Sequence, residues 1–227
     1  MQINDISPTC ITQGKEKPED NRIVIVIGRQ FGSGGRSIGK LVAKKLGIRY
    51  YDSELLNKCA EMSGYSKHIF SEHDEKAPTP LRSLLQGAFG LADNFHDVSI
   101  CSERIYSEQS KTIRDICRRE SCVIVGRTAD YIMRDHPGLI SVFLHSPLEK
   151  RARDLVSRGE AYDLGEAIEK AKKQDKYRES YYNFYTGGNN WGKANNYGIT
   201  IDSSLTGHEG AAEIIVAFTQ SKIKRQK

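Results

Sequence analysis

The residues best suited to chemistry in this chain form one glycine-rich stretch, Gly28 to Ser37, GRQFGSGGRS. It follows a β-branched apolar run and opens an amphipathic one. Consecutive backbone N–H groups in such a turn make a nest for an anion, and the helix that follows adds the positive end of its dipole. Gly32, Gly34 and Gly35 leave the backbone unobstructed for a phosphate, with Arg29, Ser33, Arg36 and Ser37 around it. The phosphate-loop pattern G-x-x-x-x-G-K-[ST] is not met, because its lysine is missing. Two registers stay open. In one, Arg36 stands at the lysine position and Ser37 supplies the hydroxyl for Mg²⁺. In the other, Gly35 stands there, Arg29 takes the first glycine position, and the cation must come from Arg29, Arg36 or an arginine further along. The dinucleotide pattern G-x-G-x-x-G is also absent.

The elements that must hold this loop are legible from periodicity. Arg22 to Gly28 is a continuous β-branched run, the pattern of a strand buried on both faces. Ile38, Leu41, Val42 and Leu46 repeat at helical spacing, and Gly47 closes that helix. Short strands are expected at Ile48 to Tyr51, Val123 to Val125, Leu139 to Leu144 and Ile199 to Ile201. Helices are expected at Ser53 to Met62, Leu81 to Phe95, Ile100 to Arg119, from near Thr128, and over Glu149 to Arg158, Gly165 to Tyr182 and His208 to Ile223. Alternating strands and helices imply an α/β fold with a central parallel sheet of about five strands and helices on both faces.

Composition excludes several classes. The 227 residues suit one globular unit and are 38% hydrophobic and 28% charged. No apolar run reaches membrane-span length. Five cysteines without a CxxC pair read as reduced thiols, and a polar segment 1–21 does not look like a signal peptide, so a cytoplasmic location is expected. His68 and His73 lack partners for a structural metal site. The net charge of +5 is mild and partly sits in the final SKIKRQK, which leaves specific nucleic-acid binding unexpected.

The sequence resembles the cytidylate kinase-like family of P-loop nucleoside monophosphate kinases from about Arg22 to Ser204. The resemblance rests on IGRQFGSGGRSIGKLVAKKLG, YYDSELL, SCVIVGRTADYI, VFLHSPLEKRARDLV and QDKYRESYYNFYTGGNNWG, in that order. It implies a P-loop kinase fold with a helical lid, organised as an arm at 1–21, a kinase domain at 22–220 and a basic tail at 221–227. Within the domain, 64–119 would form the acceptor side and 147–192 the lid.

The same resemblance suggests roles. YYDSELL is similar to the family's LDSG stretch, so Asp52 and Ser53 are expected in the acceptor pocket, although Asp52 could equally cap a helix. VIVGRTAD is similar to the DGRD strand and loop, which makes Arg127 the grip on the acceptor phosphate, with Asp130 nearby. The family's flanking acids are replaced by Val125 and Thr128. PLEKRARDLV is similar to the EERARRR helix, so Arg151 and Arg153 would reach donor phosphates from the lid. DKYR matches the second half of RDxxDxxR through Asp175 and Arg178, while Ala171 and Lys172 replace the first half. Tyr181, Tyr182, Tyr185 and Trp191 would stack a base or simply pack.

ATP and Mg²⁺ are the implied cofactors, Ser37 the implied metal ligand, and nucleotides the implied partners, with a homodimer as an option. Transfer of the ATP γ-phosphate to CMP or dCMP is the simplest activity, with Arg36, Arg127 and Arg178 as its cations. Transfer to another small acceptor, or a nucleotide-binding regulator without turnover, are the alternatives.

Overall fold

In the computed structural model, residues 22–52 and 95–225 are described. The hydrophobic runs become five strands: β1 Val24–Arg29, β2 Arg49–Tyr51, β3 Cys122–Val125, β4 Leu139–His145 and β5 Ile199–Asp202. They form one parallel sheet in the order β2-β3-β1-β4-β5, with β1 at its centre.

Burial follows from that position. Val24 to Ile27 are almost fully enclosed, and successive side chains enter opposite cores. Ile25 and Ile27 pack with Ile38 and Val42 of α1 (Gly35–Leu46) and with Ala211 and Ile215 of a C-terminal helix. Val24 and Val26 face Ile113, Ile116 and Cys117 of α2 (Phe95–Arg119) and Ile132 of the short α3 (Ala129–Ile132). Helices therefore cover both faces, as the alternation of elements requires.

A third, smaller cluster joins α4 (Leu148–Ser157) to α5 (Leu164–Tyr185). Ala152, Leu155, Ala167 and Ala171 meet there, and Phe31 of the glycine loop packs against them. Small alanines let the two helices approach closely, which ties the loop to this helical pair.

The helix ends follow local chemistry. Gly47 caps α1 in the left-handed conformation, as its position predicts. Asp163 accepts from the Glu166 backbone N–H at the start of α5. The C-terminal helix α6 spans Ser203–Arg225 with a break at Gly207, so it starts before the expected His208 and runs two residues past the expected Ile223, into the basic tail. Lys222 Nζ donating to the Leu139 carbonyl anchors it there. The helices expected over Ser53 to Met62 and Leu81 to Phe95, the arm at 1–21 and most of the expected acceptor side lie outside the described residues. Among the described residues no helix is long and apolar enough to cross a membrane.

Candidate functional site

The glycine loop leaves β1 at the sheet's centre and enters α1 at Gly35. Gly32 and Gly34 have φ of 83° and 80°, which reverses the backbone twice within three residues. Alternation of this kind turns successive N–H groups to one side. The first N–H groups of α1 have no intrahelical acceptor, and glycine at the N-cap offers no side chain to them. The first turn carries no acid and instead carries Arg36. A cation at a helix N-terminus opposes the helix dipole, so this end is stabilised when an anion sits on it. The capped, acidic start of α5 shows the ordinary arrangement in the same molecule.

The loop is fastened from three directions. Ser33 Oγ donates to the Gln30 carbonyl at 2.9 Å, and Ser203 Oγ donates to the Ser33 carbonyl at 2.9 Å. Gln30 Oε1 accepts from the Ser146 N–H at 3.1 Å. Asp175 Oδ1 accepts from the Phe31 N–H at 2.6 Å, while Arg151 Nη1 donates to the Phe31 carbonyl at 2.8 Å and to Asp175 Oδ2 at 2.7 Å.

These contacts revise three expectations. Ser33 is buried with its hydroxyl spent on carbonyls, so its side chain shapes the loop instead of facing a ligand. Arg151, expected to reach donor phosphates, is buried beneath the loop and held by Ser146, Phe31 and Asp175. Arg153 lies on the exposed side of α4 and does not line the loop's cavity. The physical reason is helical phase: the loop-facing side of α4 belongs to Arg151, and two positions further on the side chain points away.

A cavity of about 400 Å³ opens over the loop, bounded by Gly32, Gly34, Gly35, Arg36 and Ser37 on one side and by Arg158, Glu160, Gln174 and Arg178 on the other. Arg158 was not singled out by sequence; it pairs with Glu160 at 2.8 Å at the end of α4. His208 was also missed, yet its ring lies so close to Gly34 that no Cβ fits between them. Neither carries a local sequence signal, because both reach the loop only through packing of α4 and α6.

A second, much smaller cavity of about 30 Å³ lies beside the first, lined by Arg29, Arg127, Asp130, Arg178, Tyr182 and Trp191 among others. Arg127 follows β3 with φ 63° and is buried. Burial pushes its guanidinium pKa below the usual value, and the nearby Arg29 charge pushes it further. Asp130 is likewise buried, which raises its carboxyl pKa; Tyr182 donates to its Oδ2 at 2.7 Å. Tyr182 is itself pushed well up by burial and by Asp130.

Arg178, one turn beyond Asp175, donates to the Arg29 carbonyl at 3.3 Å and lies over the Phe31 ring at 5.3 Å. Of the four aromatics, Tyr185 stacks on Tyr106 at 3.9 Å and Trp191 meets Phe143 edge-on, while Tyr181 and Tyr182 line the second cavity. Asp52 is buried at the end of β2 and accepts from Tyr50 at 3.4 Å; Ser53 lies outside the described residues.

A further cavity of about 380 Å³, lined by Arg22, Arg118, Arg134 and His136, opens at the opposite ends of the strands. It lies a strand's length, roughly 20 Å, from the glycine loop and is separate from this site.

A parallel five-stranded sheet with a glycine loop between its central strand and a helix, and arginines converging on that loop, defines a P-loop kinase fold. The chain belongs to the cytidylate kinase-like family, whose sequence profile matches residues 24–205. It is 24% identical to a cytidylate kinase from Pseudothermotoga lettingae over 180 residues, 70% of this chain and 78% of that one. A crystal structure of an uncharacterized protein from Eubacterium ventriosum is similar at 30% identity and a TM-score of 0.66, covering 88% of this chain and 99% of that one. A shikimate kinase from Bacteroides thetaiotaomicron shares the fold at 13% identity and a TM-score of 0.50, over 89% of this chain and 98% of that one. Family and fold together are those of phosphotransferases acting on nucleotides or other small molecules.

Proposed function

We propose that this protein transfers the γ-phosphoryl group of ATP to a nucleoside monophosphate, with CMP or dCMP the first acceptors to consider. The observation that carries the reading is the adjacency of two cavities: one over the glycine loop, the other lined by Arg127, with Arg29 and Arg178 belonging to both. A donor triphosphate on the loop would point its terminal phosphate at the shared arginines, and an acceptor phosphate on Arg127 would lie beyond them.

Phosphoryl transfer of this kind asks for in-line positioning and positive charge more than for covalent chemistry. The loop N–H groups and Arg36 hold the donor. Arg127 takes the acceptor phosphate, for which a planar guanidinium offers paired hydrogen bonds. Asp130 and Tyr182 fix the neighbouring wall, and Asp52 and Ser53 are assigned to the acceptor side. No general base is needed, because the acceptor phosphate is already ionised at neutral pH.

Mg²⁺ suits the donor set. Ser37 presents an exposed hydroxyl in the first turn of α1, and Glu160 is a carboxylate on the facing wall. A magnesium ion carried on substrate phosphates needs few protein ligands, and it would neutralise phosphate charge there. Arg158 and Arg178 sit on the helical pair α4–α5, which we assign as the lid. Because the second cavity holds only about 30 Å³ and Arg178, Tyr181 and Tyr182 of α5 form part of its wall, an acceptor would enter by displacing these side chains.

The reading is tested by calorimetric titration with ATP–Mg²⁺, then with CMP, dCMP, UMP and AMP beside a nonhydrolysable ATP analogue, followed by assay of acceptor-dependent ADP formation. Binding with turnover supports it and names the acceptor. Turnover only on a non-nucleotide acceptor would make the chain a kinase of the same build with another substrate. ATP binding without turnover favours the second reading, a nucleotide-binding regulator, which the missing lysine and the small second cavity support.

A further inference from the structure

The geometry points to Arg29 as the cation that stands in for the missing loop lysine, reaching the transferring phosphoryl group from the end of β1 instead of from the start of α1. The inference deepens the phosphotransferase reading above and rests on it.

Three relations carry it. First, α1 begins at Gly35, and the space a side chain at 35 would use is taken. A Cβ built there would lie 2.7 Å from Arg29 Cγ and 3.0 Å from Arg29 Cβ, so the arginine's methylene stem runs where a residue-35 side chain would leave the backbone. Glycine at 35 is thus the complement of arginine at 29, and the absent lysine has been exchanged for a cation of different origin. This packing favours the register with Gly35 at the lysine position, in which Ser37 falls one place past the motif's hydroxyl, so its metal role rests on its exposure beside the loop and not on the motif.

Second, the far end of the same side chain lies against Gly126. A Cβ at 126 would collide with Arg29 Nη1 and come within 2.9 Å of its Cζ. Gly126 immediately precedes Arg127, so the guanidinium spans from the donor loop to the acceptor-side arginine. Two glycines on different elements, one at each end of the side chain, leave a channel shaped for this arginine.

Third, Arg29 borders both cavities, and the other residue that does so, Arg178, donates to the Arg29 carbonyl at 3.3 Å. In the transfer, the bond between the γ-phosphorus and the oxygen bridging to the β-phosphate breaks as a bond to an acceptor phosphate oxygen forms. ADP leaves with the electron pair, and no proton need be released. The phosphoryl group must therefore cross the boundary between the two cavities, and Arg29 stands on that boundary.

The test compares the wild type with R29A and R29K, using binding and turnover together. Affinities for ATP–Mg²⁺ and ADP–Mg²⁺ are measured by calorimetry, and melting curves check that each variant is folded. If Arg29 meets the terminal phosphate, R29A loses about tenfold or more of ATP affinity relative to ADP, R29K keeps most of the preference, and R29A turnover falls by roughly 10²–10³. An ATP-to-ADP affinity ratio unchanged in R29A overturns the inference. So does wild-type turnover that survives R29A. If the wild type turns over no acceptor but R29A still loses its preference for ATP, the inference stands and the kinase reading fails. If the wild type binds no triphosphate, both fall.

Discussion

Arg151 Nη1 lies 2.7 Å from Asp175 Oδ2, joining α4 to α5 beneath the glycine loop, and each partner also bonds the backbone of Phe31. The side chains are only 6% and 16% exposed, so the pair is shielded from solvent and its hydrogen bonds are almost fully used. Arg151 and Asp175, expected separately as lid residues, pair with each other and fasten the glycine loop.

Breaking that pair leaves a buried guanidinium without its carboxylate, a loss of about 3–5 kcal/mol in comparable buried pairs. Asp175→Ala is therefore expected to lower stability by about that much in urea unfolding and to weaken ATP binding. A change below about 1 kcal/mol would show that the pair is dispensable to the fold.

Gly34 has φ 80° and touches the His208 ring. Gly34→Ala meets two separate obstacles, a left-handed backbone that costs an alanine about 1–2 kcal/mol and a steric collision. ATP affinity should fall steeply. Adding His208→Ala should recover the collision part alone, which calorimetry on the single and double variants would resolve.

Arg127 is enclosed at the end of β3 beside the second cavity. Replacing it with lysine keeps a cation but loses the planar pair of donors, and a hydrogen bond to a charged group contributes about 1.5–3 kcal/mol. Arg127→Lys should raise the acceptor KM by roughly 10–100-fold while ATP affinity stays near wild type. Equal losses for donor and acceptor would remove Arg127 from the acceptor site.

Burial raises the Asp130 carboxyl pKa above its ordinary value. Between the unfolded pKa, about 4, and the raised folded one, the native state binds more protons than the unfolded state. Stability contributed by the protonated acid is therefore present below pH 4 and is lost as pH rises through the folded pKa. Asp130→Asn keeps an acceptor for Tyr182 and cannot ionise, so its stability relative to wild type should improve from pH 4 to pH 7.5. Melting temperatures of both proteins across that range check the sign; a difference that is flat or falls with pH would contradict it.

The sequence alone determined the order of the elements. A continuous β-branched run is the pattern of a strand buried on both faces, and a glycine cluster between such a run and an amphipathic stretch is the pattern of a strand-to-helix turn. The five strands, the helical stretch from Ile38 to Leu46 and its cap at Gly47 match that reading. Likeness to a family pointed to Arg127 and Arg178 because each sits inside a contiguous motif.

Tertiary structure alone decided which arginine faces which space. Arg151 and Arg153 read alike on a charged helix, yet packing on Ala167 and Ala171 of α5 buries one and exposes the other. Arg158 and His208 reach the loop from helices far along the chain, and the channel that holds the Arg29 side chain is completed only when Gly126, distant in sequence, is brought to its far end. Periodicity specifies which face of an element is buried. The neighbour that buries it is chosen by the register of the sheet and the phase of helices laid upon it, and that choice exists only in the folded chain.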